Sequence, residues 1–161
     1  MMDVKEDIKY LIQLVKKDMA IKRKMNVLDK NPEKIEEIDR KLKEMDRQVE
    51  EKKADLDSLE KEKRHLKSVI DSENDKIRQK KIEESRIESN AAYRAWEHEL
   101  AYLKKNLDKH EEKMLIDLEE IDRVEEELNR LSEDTEKTKN ELLQKKEQLE
   151  REMQRSREEL E

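Results

Sequence analysis

The chain has 161 residues, 52% of them charged and 32% hydrophobic, with a net charge of −7, no Gly, no Phe and a single Pro. So few apolar residues cannot fill a globular core, and their sustained heptad spacing marks long solvent-exposed helices, since disordered segments lack such a repeat. The absence of Cys excludes disulfides, thiolate metal sites and thiol redox chemistry in this sequence, and the acidic balance argues against general nucleic-acid binding.

The first predicted element is a helix over residues 3–29. Val4, Ile8, Leu11, Val15 and Met25 follow one register, while Leu14, Ile21 and Leu28 follow another that continues into Ile35. With Ile12 and Met19 they form an apolar face broader than a two-helix seam needs. That width predicts contact with more than one neighbour and makes Ile8, Leu11, Ile12 and Val15 candidate partner-binding residues. The most apolar run, Tyr10 to Val15, is too short to span a membrane and is followed by Lys16-Lys17-Asp18, so no membrane partner and a cytoplasmic address are expected. Asn31-Pro32-Glu33 then reads as a helix start. Asn31 is a good N-cap, Pro32 suits a first turn where its missing N–H is harmless, and Glu33 complements the helix dipole. A kink is expected there.

From 33 to 87 runs a predicted outgoing arm whose three-then-four spacing selects Ile35, Ile38, Leu42, Met45, Val49, Lys52, Leu56, Leu59, Lys63, Leu66, Ile70, Glu73, Ile77, Lys80, Glu84 and Ile87. Eleven of these sixteen are apolar, which identifies an a/d seam. After a predicted tip at 88–92, the same spacing selects Tyr93, Trp96, Leu100, Leu103, Leu107, His110, Met114, Asp117, Ile121, Val124, Leu128 and Leu131 along a returning arm, 93–160. It weakens through Thr135, Thr138, Leu142, Lys145 and Leu149. Pairing positions whose numbers add to 180 sets every a layer against a d layer of the other arm. The expected fold is therefore all-α, one elongated domain built as a long antiparallel coiled-coil hairpin with a short N-terminal helix. This register places Lys63 opposite Asp117 and predicts a buried ion pair. It also sets residues 1–18 opposite positions beyond 161, so the N-terminal face is expected to be covered by a following segment or by self-association through the N-terminal helix.

The arms differ in charge. Residues 1–90 hold 24 Lys/Arg against 23 Asp/Glu, and residues 91–161 hold 14 against 22. Attraction between the arms is therefore modest and screened by salt, and the seam is expected to hold them together. His65, His98 and His110 lack a second His one turn away, and no Gly-rich phosphate loop or nucleophile with a base is present. No enzyme activity, cofactor, metal or small-molecule substrate is expected. Asn90, Tyr93 and Trp96 at the tip either plug the hairpin end or contact a partner, with the plug the stronger reading. Basic clusters such as Lys22-Arg23-Lys24 are interleaved with acids and read as solvated faces. An RNA-binding alternative would show salt-sensitive affinity.

The tip residues Asn90, Tyr93, Trp96, Glu99 and Leu100, and Glu111-Glu112-Lys113-Met114-Leu115 followed by Glu119-Glu120, resemble the bacterial proteins that join a coiled-coil hairpin to a four-cysteine zinc ribbon, among them flagellar regulators. Trp96 stands where those proteins usually have Leu, and the ribbon's cysteines are missing. The resemblance implies a cytoplasmic adaptor that binds macromolecules, with an alternative sigma factor, flagellar transcripts or export components among the partner classes. The function expected from the sequence is a non-enzymatic protein-binding scaffold. The alternatives are a structural rod or dimerisation arm of a larger assembly, and an RNA-binding regulator.

Overall fold

A computed structural model describes residues 3–161 as an all-α helical hairpin. Helix α1 (Val4–Glu83) leads through a 3-10 turn (Glu84–Arg86) into α2 (Asn90–Leu160). The chain divides into two compact units, Met1–Gln48 with Ser132–Glu161, and Val49–Leu131.

In the unit Val49–Leu131 the two helices run antiparallel with Leu66, Ile77, Trp96, Ile121 and Val124 buried between them. All five lie on the predicted lattice, and each fully buried Ile, Leu or Val stabilises the pair by roughly 1.5–3 kcal/mol. The outer faces carry Glu, Lys and Arg, good helix formers that pair along the helix surface, as Lys61 does with Asp57 at 3.3 Å. Ion pairs across the helices include Lys52 with Glu127, 2.6 Å, and Lys113 with Glu62, 2.9 Å. Their residue numbers add to 179 and 175, close to the value that the seam pattern requires.

The predicted Lys63–Asp117 ion pair does not form. Lys63 lies 3.7 Å from Glu60 on its own helix, while Asp117 is buried with its Oδ2 lacking any hydrogen-bond partner. The long Lys stem reaches the rim of the seam and keeps its ammonium in water, whereas the short Asp side chain stays inside. A further polar pair bridges these helices between two seam positions that the sequence reading left unpaired: His110 Nδ1 lies 2.7 and 2.9 Å from the two carboxylate oxygens of Glu73.

The turn comes earlier than predicted and is one residue longer. α1 ends at Glu83 instead of Ile87, and the chain contracts into the 3-10 turn, closed by the Ile87 N–H donating to the Glu84 carbonyl at 3.3 Å. Ile87 is extended, with φ −81° and ψ 121°. Ser89 caps α2, accepting the Ala92 N–H on its hydroxyl at 3.1 Å, so α2 starts at Asn90 and the turn spans Glu84 to Ser89. No described residue has positive φ, so the turn makes no use of Asn90's tolerance for left-handed backbone.

In the unit Met1–Gln48 with Ser132–Glu161, α1 continues through Pro32 as one helix, so the predicted new helix start at Asn31-Pro32-Glu33 does not occur. Proline inside a helix costs about 3 kcal/mol through its missing N–H and a clash with the preceding turn. Packing on both sides of Pro32 offsets this. Ile38 is buried, Leu28 and Ile35 are half-buried, and the predicted N-cap, Asn31, is itself buried against α2. Its Nδ2 donates to the Leu149 carbonyl at 3.2 Å and to Glu152 at 3.3 Å.

The returning helix also departs from the extrapolated lattice here. Its inward positions are Thr135, Lys139, Leu142, Lys146, Leu149, Met153 and Ser156, while Thr138, Lys145 and Glu152 are exposed. Every second seam position is thus displaced by one residue. The gain is electrostatic and apolar together: Lys139 reaches Asp46 at 2.5 Å, Lys146 reaches Asp39 at 2.8 Å, and Met153 replaces a charged residue at the seam.

Candidate functional site

Two surfaces hold the sequence-predicted binding residues. The first is the hairpin tip. Trp96 is 8% exposed, and its indole N–H donates to the Lys80 carbonyl at 2.6 Å. That carbonyl lies in the last turn of α1, where a helix runs out of its own donors. The Tyr93 ring packs on the indole with centroids 5.5 Å apart and a 33° tilt, a favourable offset geometry. Trp96 is therefore the plug that closes the hairpin and is not available as a contact. Tyr93, 41% exposed, and Asn90, fully on the surface, remain accessible.

The tip is ringed by charge. Lys80 contacts both Glu99 and Glu83, and the Glu99 carboxylate holds its ammonium above the ordinary lysine value. A shallow hollow beside it is lined by Lys80, His98, Glu99, Tyr102 and Leu103. It is open to solvent and has no nucleophile with a base. Among the described residues, no group of three or more His, Asp or Glu side chains could hold a metal ion, and no helix is long and apolar enough to cross a membrane.

The ion pairs between the helices are partly solvated and leave a titration signature. Lys52 holds the Glu127 carboxyl below the usual carboxylate value by a hydrogen bond, opposed by desolvation and assisted by the charges of Lys52, Arg123 and Arg130. A depressed carboxyl contributes stability above its unfolded value, near 4.3, and loses it as the pH falls through the folded value. A double-mutant cycle on Lys52 and Glu127, read by urea unfolding, should give a coupling that is constant at neutral pH and is lost in acid, as the pH falls through the depressed folded value. Coupling that persists in acid would contradict this.

The second surface is the N-terminal stretch of α1. Every described residue from Asp3 to Met19 is exposed. Ile8, Leu11, Ile12 and Val15 are 50%, 61%, 49% and 57% exposed, so the predicted apolar face stands uncovered. Its first two turns are held by Asp3, whose carboxylate accepts the Lys5 N–H at 3.3 Å and whose carbonyl accepts from Glu6 and Asp7. A hollow on this face is lined by Asp7, Tyr10, Leu11 and Leu14. Tyr10 and Leu14, 69% and 54% exposed, thus belong to the surface although the sequence reading did not count them as binding residues. Leu115 and Ile116 are also exposed on α2. Their position off the three-four lattice was the signal that would have marked them. No protein-family model matches this chain, nor does any curated protein or solved structure.

Proposed function

We propose that the chain is a non-enzymatic protein-binding scaffold that engages its partner through the N-terminal apolar stripe of α1. The observation that carries this reading is the uncovered run from Asp3 to Met19, with Ile8, Leu11, Ile12 and Val15 about half or more exposed. A contiguous apolar stripe on a helix is the form in which helical partners are recognised, through anchors spaced three and four residues apart. The hollows found among the described residues, such as those beside Lys80 and Tyr10, are open to solvent, which supports a binding role over catalysis. The tip, whose residues carry the resemblance to hairpin and zinc-ribbon adaptors, is the secondary surface, with Tyr93 and Asn90 as its accessible groups.

A photo-cross-linking residue at position 11, introduced into the full chain in the source cell, tests the reading. A protein adduct is expected at position 11 and not at Arg64, an exposed residue on the outer face. No protein adduct at position 11, or equal adducts at both, would overturn it.

A further inference from the structure

Val4, Ile8, Leu11 and Val15 recur at spacings of four, three and four along α1, the a/d pattern of a two-stranded coiled coil. α2 does not occupy this stripe. The cross-helix ion pair nearest to it is Lys24 with Glu159, 3.0 Å, more than two turns further along. We infer that the stripe of one protomer packs antiparallel on the same stripe of a second copy of this chain. The inference rests on the protein-binding reading above and names the partner.

The pattern is self-complementary in one orientation. Pairing positions whose numbers add to 19 sets Val4 on the partner's Val15 and Ile8 on the partner's Leu11, with the same two layers repeated across the two-fold axis. All four layers are then apolar, and each a position meets a d position. Charge selects the same orientation. Before the uncharged run from Tyr10 to Val15, Asp3, Glu6 and Asp7 outweigh Lys5 and Lys9 by one charge, and after it Lys16 and Lys17 outweigh Asp18 by one. Antiparallel pairing brings the net-acidic end of each protomer to the net-basic end of the other. A parallel pair would stack like charges at both ends, which is destabilising.

An anionic membrane surface is the weaker occupant. Residues 3–16 carry three acids, Asp3, Glu6 and Asp7, and three lysines, Lys5, Lys9 and Lys16, so the stripe has no net positive charge for anionic headgroups to attract. Four apolar layers make a contact smaller than the roughly 1,200–2,000 Å² of stable specific interfaces, so a weak, concentration-dependent association is expected.

Sedimentation equilibrium of the full chain over about 5–200 µM should show the mass rise from 19.6 kDa towards twice that value. Leu11→Asp enters two layers of each dimer and should weaken association by about tenfold or more. Because Leu11 is exposed and outside the hairpin seam, the variant's thermal midpoint at low concentration should be unchanged. Lys16→Glu with Lys17→Glu should weaken association at low salt while leaving the apolar layers intact. The sequence has no Cys, so orientation is read directly: a mixture of Val4→Cys and Val15→Cys chains should form the mixed disulfide in preference to either self-linked product. A chain that stays monomeric at every concentration overturns the inference, as does self-linking of Val4→Cys in preference to the mixed product. Binding of the monomer to phosphatidylcholine–phosphatidylserine vesicles overturns it in favour of a lipid surface. A position 11 adduct to a different protein overturns the self-pairing and leaves the scaffold reading standing, whereas no protein adduct removes that reading itself.

Discussion

Replacing Trp96 with alanine should destabilise the hairpin by about 3–5 kcal/mol, the range for deleting a large buried aromatic. Two losses combine in this substitution. The indole fills the end of the seam at 8% exposure, and its N–H satisfies the Lys80 carbonyl in the last turn of α1. Trp96→Phe separates them, since it keeps an aromatic ring and leaves the carbonyl without that donor, at a cost of about 1–3 kcal/mol. Tyr93→Ala should cost less than Trp96→Ala, because Tyr93 is already 41% exposed. Urea unfolding followed by far-ultraviolet circular dichroism gives all three values. A loss below about 1 kcal/mol for Trp96→Ala would show that the tip is not held by this side chain.

Asp117→Leu should move stability the other way, by about 1–3 kcal/mol. Asp117 occupies a seam position between Met114 and Ile121, is 8% exposed and leaves Oδ2 without a partner. The adjacent cations do not discharge it: Lys63 lies by Glu60, and Lys113 is hydrogen-bonded to Glu62. Asp117 still acts on Lys113 as a minor contribution to its raised ammonium value, behind the dominant effect of Glu62. A leucine there would extend the apolar run and remove an uncompensated buried group. Asp117→Asn should recover less, because an amide brings its own unsatisfied donors and acceptor. A lower unfolding midpoint for Asp117→Leu than for the parent would refute this account.

The seam was legible because a heptad is a pattern of residue types alone. Ile38, Leu66, Ile77, Trp96, Ile121 and Val124 were all placed on it and all are buried. What the sequence hid depends on side-chain length and reach. Lys63 and Asp117 share a layer, yet a four-carbon stem leaves the seam and a one-carbon stem does not. Lys139 and Lys146 were outside the extrapolated lattice, and their ion pairs with Asp46 and Asp39 draw the helix face round by one residue. Asn31 and Pro32 carry a strong local signal for a helix start. Tertiary contacts with Leu149 and Glu152 override it. The N-terminal stripe was visible as an apolar width that one neighbour could not cover, and Ile8, Leu11, Ile12 and Val15 are uncovered; Trp96 is enclosed, as the favoured plug reading of the tip expects, which removes it from the contact candidates.

A seam that repeats every seven residues is nearly degenerate under sliding, because displacement by one heptad again sets a layers against d layers. Asn31 removes that freedom in one direction. Its amide sits in the seam where the Leu149 carbonyl and the Glu152 carboxylate meet it; a seven-residue slip towards Leu142 would put Lys145 in place of that carboxylate, whereas the opposite slip would bring Ser156 and Glu159, which can accept from the amide again. The two helices of this unit therefore behave as a ratchet with a single pawl: Asn31 opposes sliding towards Leu142 and leaves the opposite direction to the apolar layers.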